Sequence, residues 1–323
     1  MSARALRIGT RASALALWQA RHVEALIRAR PGAPAVELVH IRTSGDAQRD
    51  VPLWQAEGRA FFTREIDEAL AAGTIDVAVH SLKDLPTTLA AGTTLAATLA
   101  REDPRDALLT RAGATLAALP PGARIGTSSL RRRAFIARAR PDAVPVELRG
   151  NVPTRLERLR AGDYDAIILA AAGLTRLGLA AHIAGYLPPA EFPPAVSQGV
   201  IGVCARSDDA RSLEWLAPLD DRCARLAVSA ERALLARLEG GCQVPLGALA
   251  ELEGATLRLR AAVCALDGAR ELRAEGTATA VAGAALTAAD AAALGERLAG
   301  ELLAAGAAAL IAHQRAGLRV AAP

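Results

Sequence analysis

A chain of 323 residues is long for a single core, so two or three domains are expected. With 52% hydrophobic and 22% charged residues the sequence is globular rather than disordered, and with 3% aromatics it lacks the stacking platforms of single-stranded nucleic-acid binders. The formal net charge of +4 arises from 38 basic side chains, all arginine except Lys83; such a charge suits a small polyanion as well as nucleic acid, so placement matters more than number.

The first 23 residues carry Arg4, Arg7, Arg11 and Arg21, no acid, and an apolar stretch from Ala12 to Trp18, which imitates a targeting segment. Leu6-Arg7-Ile8-Gly9-Thr10 nevertheless belongs to an internal repeat and is read as part of the fold. Its echo is Arg124-Ile125-Gly126-Thr127, and the following elements repeat as well. Val36-Glu37-Leu38 matches Val146-Glu147-Leu148, and Thr74-Ile75-Asp76-Val77-Ala78-Val79 matches Asp163-Tyr164-Asp165-Ala166-Ile167-Ile168. Each half reads strand, helix, strand, helix, strand, with helices such as Phe61 to Ala72 and Val152 to Ala161. Short apolar strands separated by helices predict parallel sheets covered on both faces.

After Pro193-Pro194, Ala195 to Val203 reads as a strand returning to the first half, so the chain crosses twice and makes a hinge. From about Leu219 the pattern changes to a helix from Cys223 to Leu238, strands near Val244–Leu252, Thr256–Leu266 and Glu271–Ala280, and a last helix from Ala288 to Ala312. The expected fold is α/β: two similar doubly wound domains of periplasmic-binding-protein-like type joined by a two-strand hinge, plus a C-terminal α+β domain. The expected limits are 1–99 with 195–217, 100–194, and 218–323. No apolar run is long enough to cross a bilayer. Cys204, Cys223, Cys242 and Cys264 contain no CxxC pair, so neither zinc nor a disulfide framework is supported, and a reducing cytoplasm is the expected home.

Ligands of open parallel sheets bind beyond the carboxyl ends of the strands, which places the expected site in a cleft between the two halves. Lys83 stands there, in His80-Ser81-Leu82-Lys83-Asp84-Leu85-Pro86, where a compact point charge was kept in a chain that otherwise uses arginine. Gly126-Thr127-Ser128-Ser129-Leu130-Arg131-Arg132-Arg133 opens a helix with Ser128 or Ser129 as N-cap. Three arginines in a first turn oppose the helix dipole, each by about 0.3–1 kcal/mol, unless an anion binds there. Arg11, Arg149 and Arg155 flank matching turns, so several strand ends direct positive charge to one cleft and predict a ligand with several carboxylates or phosphates. No P-loop or G-x-G-x-x-G is present to indicate a nucleotide. Asp84 reads as a lone carboxylate among cations, able to handle a proton-carrying amine or a cationic intermediate, and adjacency on a strand would turn Lys83 to the opposite face. Cys242, after Gly240-Gly241 at a helix end, reads as exposed sulfur, a nucleophile or a covalent tether.

These segments, with Arg101-Glu102-Asp103-Pro104-Arg105-Asp106, Leu148-Arg149-Gly150-Asn151 and Leu238 to Pro245, occur in the order found in the porphobilinogen deaminase (hydroxymethylbilane synthase) family, which the sequence resembles from about Leu6 to the last helix. The resemblance implies a transferase of tetrapyrrole biosynthesis that carries a dipyrromethane cofactor on Cys242 through a thioether. Such an enzyme adds four porphobilinogen units to this primer and then releases hydroxymethylbilane by hydrolysis. By resemblance, Asp84 is catalytic, assisting loss of ammonia and stabilising the resulting cation. Cofactor and substrate would be bound by Arg11, Ser13, Gln19, Asp46, Ser81, Lys83, Thr127, Ser128, Ser129, Arg131, Arg132, Arg149, Asn151, Arg155, Arg176 and Gln198. The resemblance further implies a monomer whose product passes to a uroporphyrinogen III synthase, without nucleic acid or membrane partners. The chain departs from the family pattern at Gly58-Arg59-Ala60, where Gly-Lys-Gly is common, and at Val196-Ser197-Gln198-Gly199, where Val-Gly-Gln-Gly is usual. A non-catalytic two-domain anion-binding protein would explain the cleft and the hinge, but neither Cys242 nor the third domain.

Overall fold

The computed structural model describes residues 4–47, 63–238, 244–280 and 284–312. The first α/β unit contains β1 (Leu6–Thr10), α1 (Ala14–Arg28), β2 (Val36–His40), α2 (Ser44–Ala47), α3 (Arg64–Ala71), β3 (Val77–Ser81) and β4 (Thr93–Thr98). The second contains β5 (Asp106–Thr110), β6 (Arg124–Gly126), α4 (Leu130–Ala139), β7 (Val144–Val146), α5 (Val152–Arg160), β8 (Ala166–Ala170), α6 (Ala171–Arg176) and β9 (Gly185–Leu187). The chain then returns as β10 (Ile201–Arg206) and α7 (Ala210–Leu216). Each unit is a five-stranded sheet, ordered β2-β1-β3-β10-β4 in the first and β7-β6-β8-β5-β9 in the second.

The repeat is visible in these orders, since β2-β1-β3 and β7-β6-β8 are both parallel triplets. The sheets are mixed rather than wholly parallel. β10 runs antiparallel to β3 and β4, and β5 runs antiparallel to β8 and β9. The exchange explains this: each unit receives one strand from a crossing segment that enters from the opposite direction, and the period of an apolar strand carries no information about its direction. Helices cover both faces. α1 buries Gln19, Ala20, Val23 and Ile27, a helical stripe, against one side of the first sheet, while Ile66 and Leu70 of α3 pack on the other.

The two crossings lie side by side, with Leu99 N–H donating to Ile201 O (3.0 Å) and Glu102 N–H to Gly199 O (3.1 Å). A Cβ on Gly199 would stand 2.3 Å from Glu102 O, so only glycine allows this approach. Ser197 takes φ = 63°, where a side chain costs about 1–2 kcal/mol, and its buried hydroxyl has no partner. The serine that departs from the family pattern therefore occupies a position suited to glycine. Arg59 and Ala60, the other departure, lie outside the described residues.

The third unit is α8 (Arg222–Arg237), the antiparallel sheet β11 (Leu246–Glu253), β12 (Thr256–Cys264) and β13 (Glu271–Thr279), and α9 (Ala288–Ala304). The last helix expected to reach Ala312 breaks at Ala305-Gly306, where Gly306 takes φ = 99°. This unit docks on both of the others. Ala224 and Val228 of α8 enter a core of the first, and Ala262 and Cys264 of β12 enter a core of the second. Glu231 of α8, fully buried, accepts from Arg101 on one crossing (2.8 Å), from Ser197 N–H on the other (2.7 Å) and from Ala250 N–H (2.8 Å). No helix among the described residues is long and apolar enough to cross a membrane.

Candidate active site

The parallel strands deliver their carboxyl ends to the space between the first two units. β1 leads into Ser13, the N-cap of α1; β6 leads into Ser129, the N-cap of α4; and Asn151 caps α5. Each cap has its side-chain oxygen committed to a helix amide: Ser13 Oγ accepts from Ala16 N–H (3.3 Å), Ser129 Oγ from Arg132 N–H (3.4 Å) and Asn151 Oδ1 from Thr154 N–H (3.0 Å). Thr127 is buried and its hydroxyl accepts from Ser129 N–H (3.2 Å), while Ser128 Oγ donates to Leu148 O. These residues shape the turns at which the cations emerge.

β3 ends at Ser81, and Leu82–Asp84 forms a 3-10 turn. Lys83 and Asp84 therefore do not alternate across a strand, as the sequence had suggested, because the extended backbone ends before them. Ser81 Oγ accepts from Gln19 Nε2 (2.9 Å), and Gln19 is buried in α1. Lys83 Nζ donates to Gln198 Oε1 (3.2 Å). Gln198 Nε2 in turn donates to Pro104 O (2.8 Å) and to Asp106 Oδ1 (2.9 Å). Asp106, fully buried at the head of β5, receives Arg131 on Oδ2 and Arg132 on Oδ1, each at 2.8 Å. A continuous polar chain thus runs from the Asp84 turn through the hinge to the first turn of α4.

Asp106 revises two expectations. The anion required by the arginines at the start of α4 is in part the protein's own carboxylate, and Asp84 is not the lone acid among the cations. The clue was an acidic residue opening the apolar strand Asp106-Ala107-Leu108-Leu109, although its partners are distant in sequence. The remaining NH1 groups of Arg131 and Arg132 donate to Pro193 O (2.6 Å) and Ile168 O (3.0 Å), leaving both buried Nε atoms without a partner.

Even with Asp106 the cluster keeps an excess of positive charge. Burial lowers Lys83 to about 8, with Asp84 and Asp106 opposing the shift and Arg132 and Arg131 adding to it. Burial likewise lowers Arg155 to about 10, reinforced by Arg132 and Arg149 and opposed by Glu147 and Asp84. Asp106 is driven up by burial, but Arg131 and Arg132 beside it, with hydrogen bonds from Arg132 and Gln198, hold it far below the usual carboxylate range. Burial and the nearby Arg11 lower His80 to about 4, so its imidazole is neutral. The structure thus brings Lys83, Asp84, Arg131, Arg132, Arg149 and Arg155 into one electrostatic cluster, with Arg11 beside His80. Arg176 lies apart from them, its guanidinium donating to Gly199 O (2.6 Å) and lying 5.7 Å from the ring centroid of Trp18. Asp84 is half-buried, and among the described residues its carboxylate makes no hydrogen bond or ion pair. Cys242 and the side chain of Asp46, which belongs to α2, lie outside the described residues. Among those described, no group of three His, Cys, Asp or Glu side chains could hold a metal ion.

Such a cluster fits a ligand with several carboxylates: guanidinium groups that repel one another gather beside the half-buried Asp84 carboxylate, and Asp84 and Glu147 offset them only in part. Comparison with known proteins gives the same direction. Residues 6–214 match the family model described as porphobilinogen deaminase, dipyromethane cofactor binding domain, and residues 225–304 match porphobilinogen deaminase, C-terminal domain. The chain is 58% identical over 264 residues to the porphobilinogen deaminase of Roseiflexus sp. (strain RS-1), spanning 81% of this chain and 87% of that protein. It is 53% identical over 310 residues to that of Roseiflexus castenholzii, spanning 95% of this chain and 98% of that protein. Among solved structures, a Salmonella typhimurium periplasmic binding protein with high arginine specificity aligns at 14% identity and a TM-score of 0.38, over 69% of this chain and 94% of that one. The chain belongs to the porphobilinogen deaminase family.

Proposed function

We propose that this chain is a hydroxymethylbilane synthase that deaminates porphobilinogen and joins four units head to tail in the cleft beside Asp84. The observation that carries this reading is the half-buried Asp84 carboxylate set among the buried Arg131 and Arg132 and the half-buried Lys83 and Arg155 at the converging strand ends. A dipyrromethane held through a thioether on Cys242 would supply the primer to which the substrate units are added. Arg131, Arg132, Arg149 and Arg155, with Arg11 and Lys83, would bind the acetate and propionate groups of primer and substrate. Arg176, bonded to Gly199 of the second crossing, would serve later stages of elongation. Ser13, Ser129 and Asn151 would contribute mainly by fixing the helix N-termini. Gln19, Ser81 and Gln198 would hold the Asp84 turn, and Thr127 would support the turn before α4.

Asp84 would hold the proton that leaves with the substrate's amine and then face the positive charge that develops at the methylene carbon. Lys83, held by Gln198, would add its charge to the field around the carboxylate. The protein is read as a cytoplasmic monomer whose product passes to a uroporphyrinogen III synthase. The test is incubation of the purified protein with porphobilinogen. One ammonia released per substrate consumed, with a linear tetrapyrrole as product, is expected, and substrate binding without ammonia release would contradict the proposal.

A further inference from the structure

The Asp84 turn is held from two sides. On its N-terminal side β3 pairs with β10, Ser81 opposite Ile201, and Leu82 N–H donates to Val200 O (2.9 Å). On its C-terminal side the chain runs from Leu85 to Ala90 without regular structure, and Pro86 has no N–H to offer. Backbone carbonyls in such a segment need donors from elsewhere. Three successive carbonyls converge on one guanidinium of α8: Arg232 NH1 donates to Leu85 O (3.3 Å), and NH2 donates to Pro86 O (2.6 Å) and Thr87 O (3.3 Å). Ala224, Val228 and Arg232 recur at four-residue intervals, so they share one face of the helix. The first two pack in the same core as Leu82 and Leu85, which bracket Lys83 and Asp84.

We infer that Arg232 is a positioning residue for Asp84, fixing the backbone beyond the turn so that the carboxylate keeps its place in the cleft. The inference rests on the proposed function. A planar fork suits this task, since it can address several oxygens in one plane, whereas an ammonium is a compact point charge. The neighbouring Glu231 holds both hinge crossings, so two consecutive residues of α8 tie the catalytic turn and the hinge to the third unit. The same helix leads into the segment that contains Cys242.

The test compares wild type, Arg232→Met and Arg232→Lys for kcat and KM with porphobilinogen, urea midpoint, and denatured intact mass. Arg232→Met keeps the apolar stem and removes the donors. A kcat loss of about 10- to 100-fold is expected, the range produced by small misplacements of a reacting group. KM, urea midpoint and any covalent adduct mass should stay close to wild type, and Arg232→Lys should recover part of the rate. A folded Arg232→Met with wild-type kcat overturns the inference, as does a rate loss matched by an equal loss of stability. If Arg232→Met does not fold, Arg232→Lys decides: one ammonium cannot span the three carbonyls, so an unchanged kcat overturns the inference and a reduced kcat at wild-type KM supports it. Wild-type protein assayed in parallel separates the two claims, because absence of ammonia release from wild type would remove the proposed function itself.

Discussion

Asp84→Asn is expected to fold as the wild type does and to lose about 10²- to 10⁴-fold in kcat with porphobilinogen, the usual contribution of a positioned general acid or base. The amide keeps the size and shape of the side chain but can neither carry the proton nor offset a developing positive charge. Stability should change by less than about 0.5 kcal/mol, because the half-buried carboxylate makes no hydrogen bond or ion pair among the described residues. Lys83 and Arg155, whose charges Asp84 influences, are both held elsewhere, Lys83 by Gln198 and Arg155 by Gly150 O at 2.7 Å. Steady-state kinetics together with a urea titration check both halves of the expectation. Near-normal turnover in the folded variant would remove Asp84 from its role.

Asp106→Asn should act in the opposite way, on the fold first. The buried carboxylate accepts from Arg131 and Arg132, themselves only 4% and 9% exposed, and its loss leaves two interior guanidinium charges without their counter-charge. Removing one partner of a buried ion pair typically costs about 3–5 kcal/mol, and the amide nitrogen would face a donor rather than accept from it. Acid should reproduce part of this loss in the wild type. Asp106 is held below its ordinary range in the folded protein, so its contribution is complete above the unfolded carboxylate pKa of about 3.9 and is lost as pH falls towards the folded value. Urea unfolding at neutral pH and at pH 3 measures both effects. The variant should be much less stable at neutral pH and less sensitive to acid than the wild type. A variant within about 1 kcal/mol of wild type would show that Asp106 does not balance the two arginines.

The sequence carried the repeat, the hinge, the succession of strands and helices in each half and the three strands of the last unit. These follow from short-range signals: apolar runs, cap residues and glycines. Of the two caps the sequence left open, Ser129 serves α4 by accepting from Arg132 N–H, while Ser128 donates to Leu148 O. Strand direction was not legible, since β5 and β10 look like any other apolar run, and only the crossing that leads into each makes it antiparallel to its neighbours. The conformation of Lys83-Asp84 was misread because a 3-10 turn of three residues has no period to detect. Asp106 and Arg232 were missed for a different reason. Each acts on groups remote in sequence, Arg232 on carbonyls 145 to 147 positions away, and such a pairing exists only once the units are packed. The cluster of cations was read correctly as unfavourable without an anion, but a single sequence does not reveal that one of those anions is internal.

A primer carried by Cys242 is central to the proposed reaction, and the denatured intact mass of the purified protein tests it most directly. The bare chain weighs 33.4 kDa. The expected result is an excess equal to two linked pyrroles, mapped to the peptide around Cys242 and absent from Cys242→Ser. A preparation that turns over porphobilinogen at the bare chain mass, or an adduct that survives Cys242→Ser, would contradict the account.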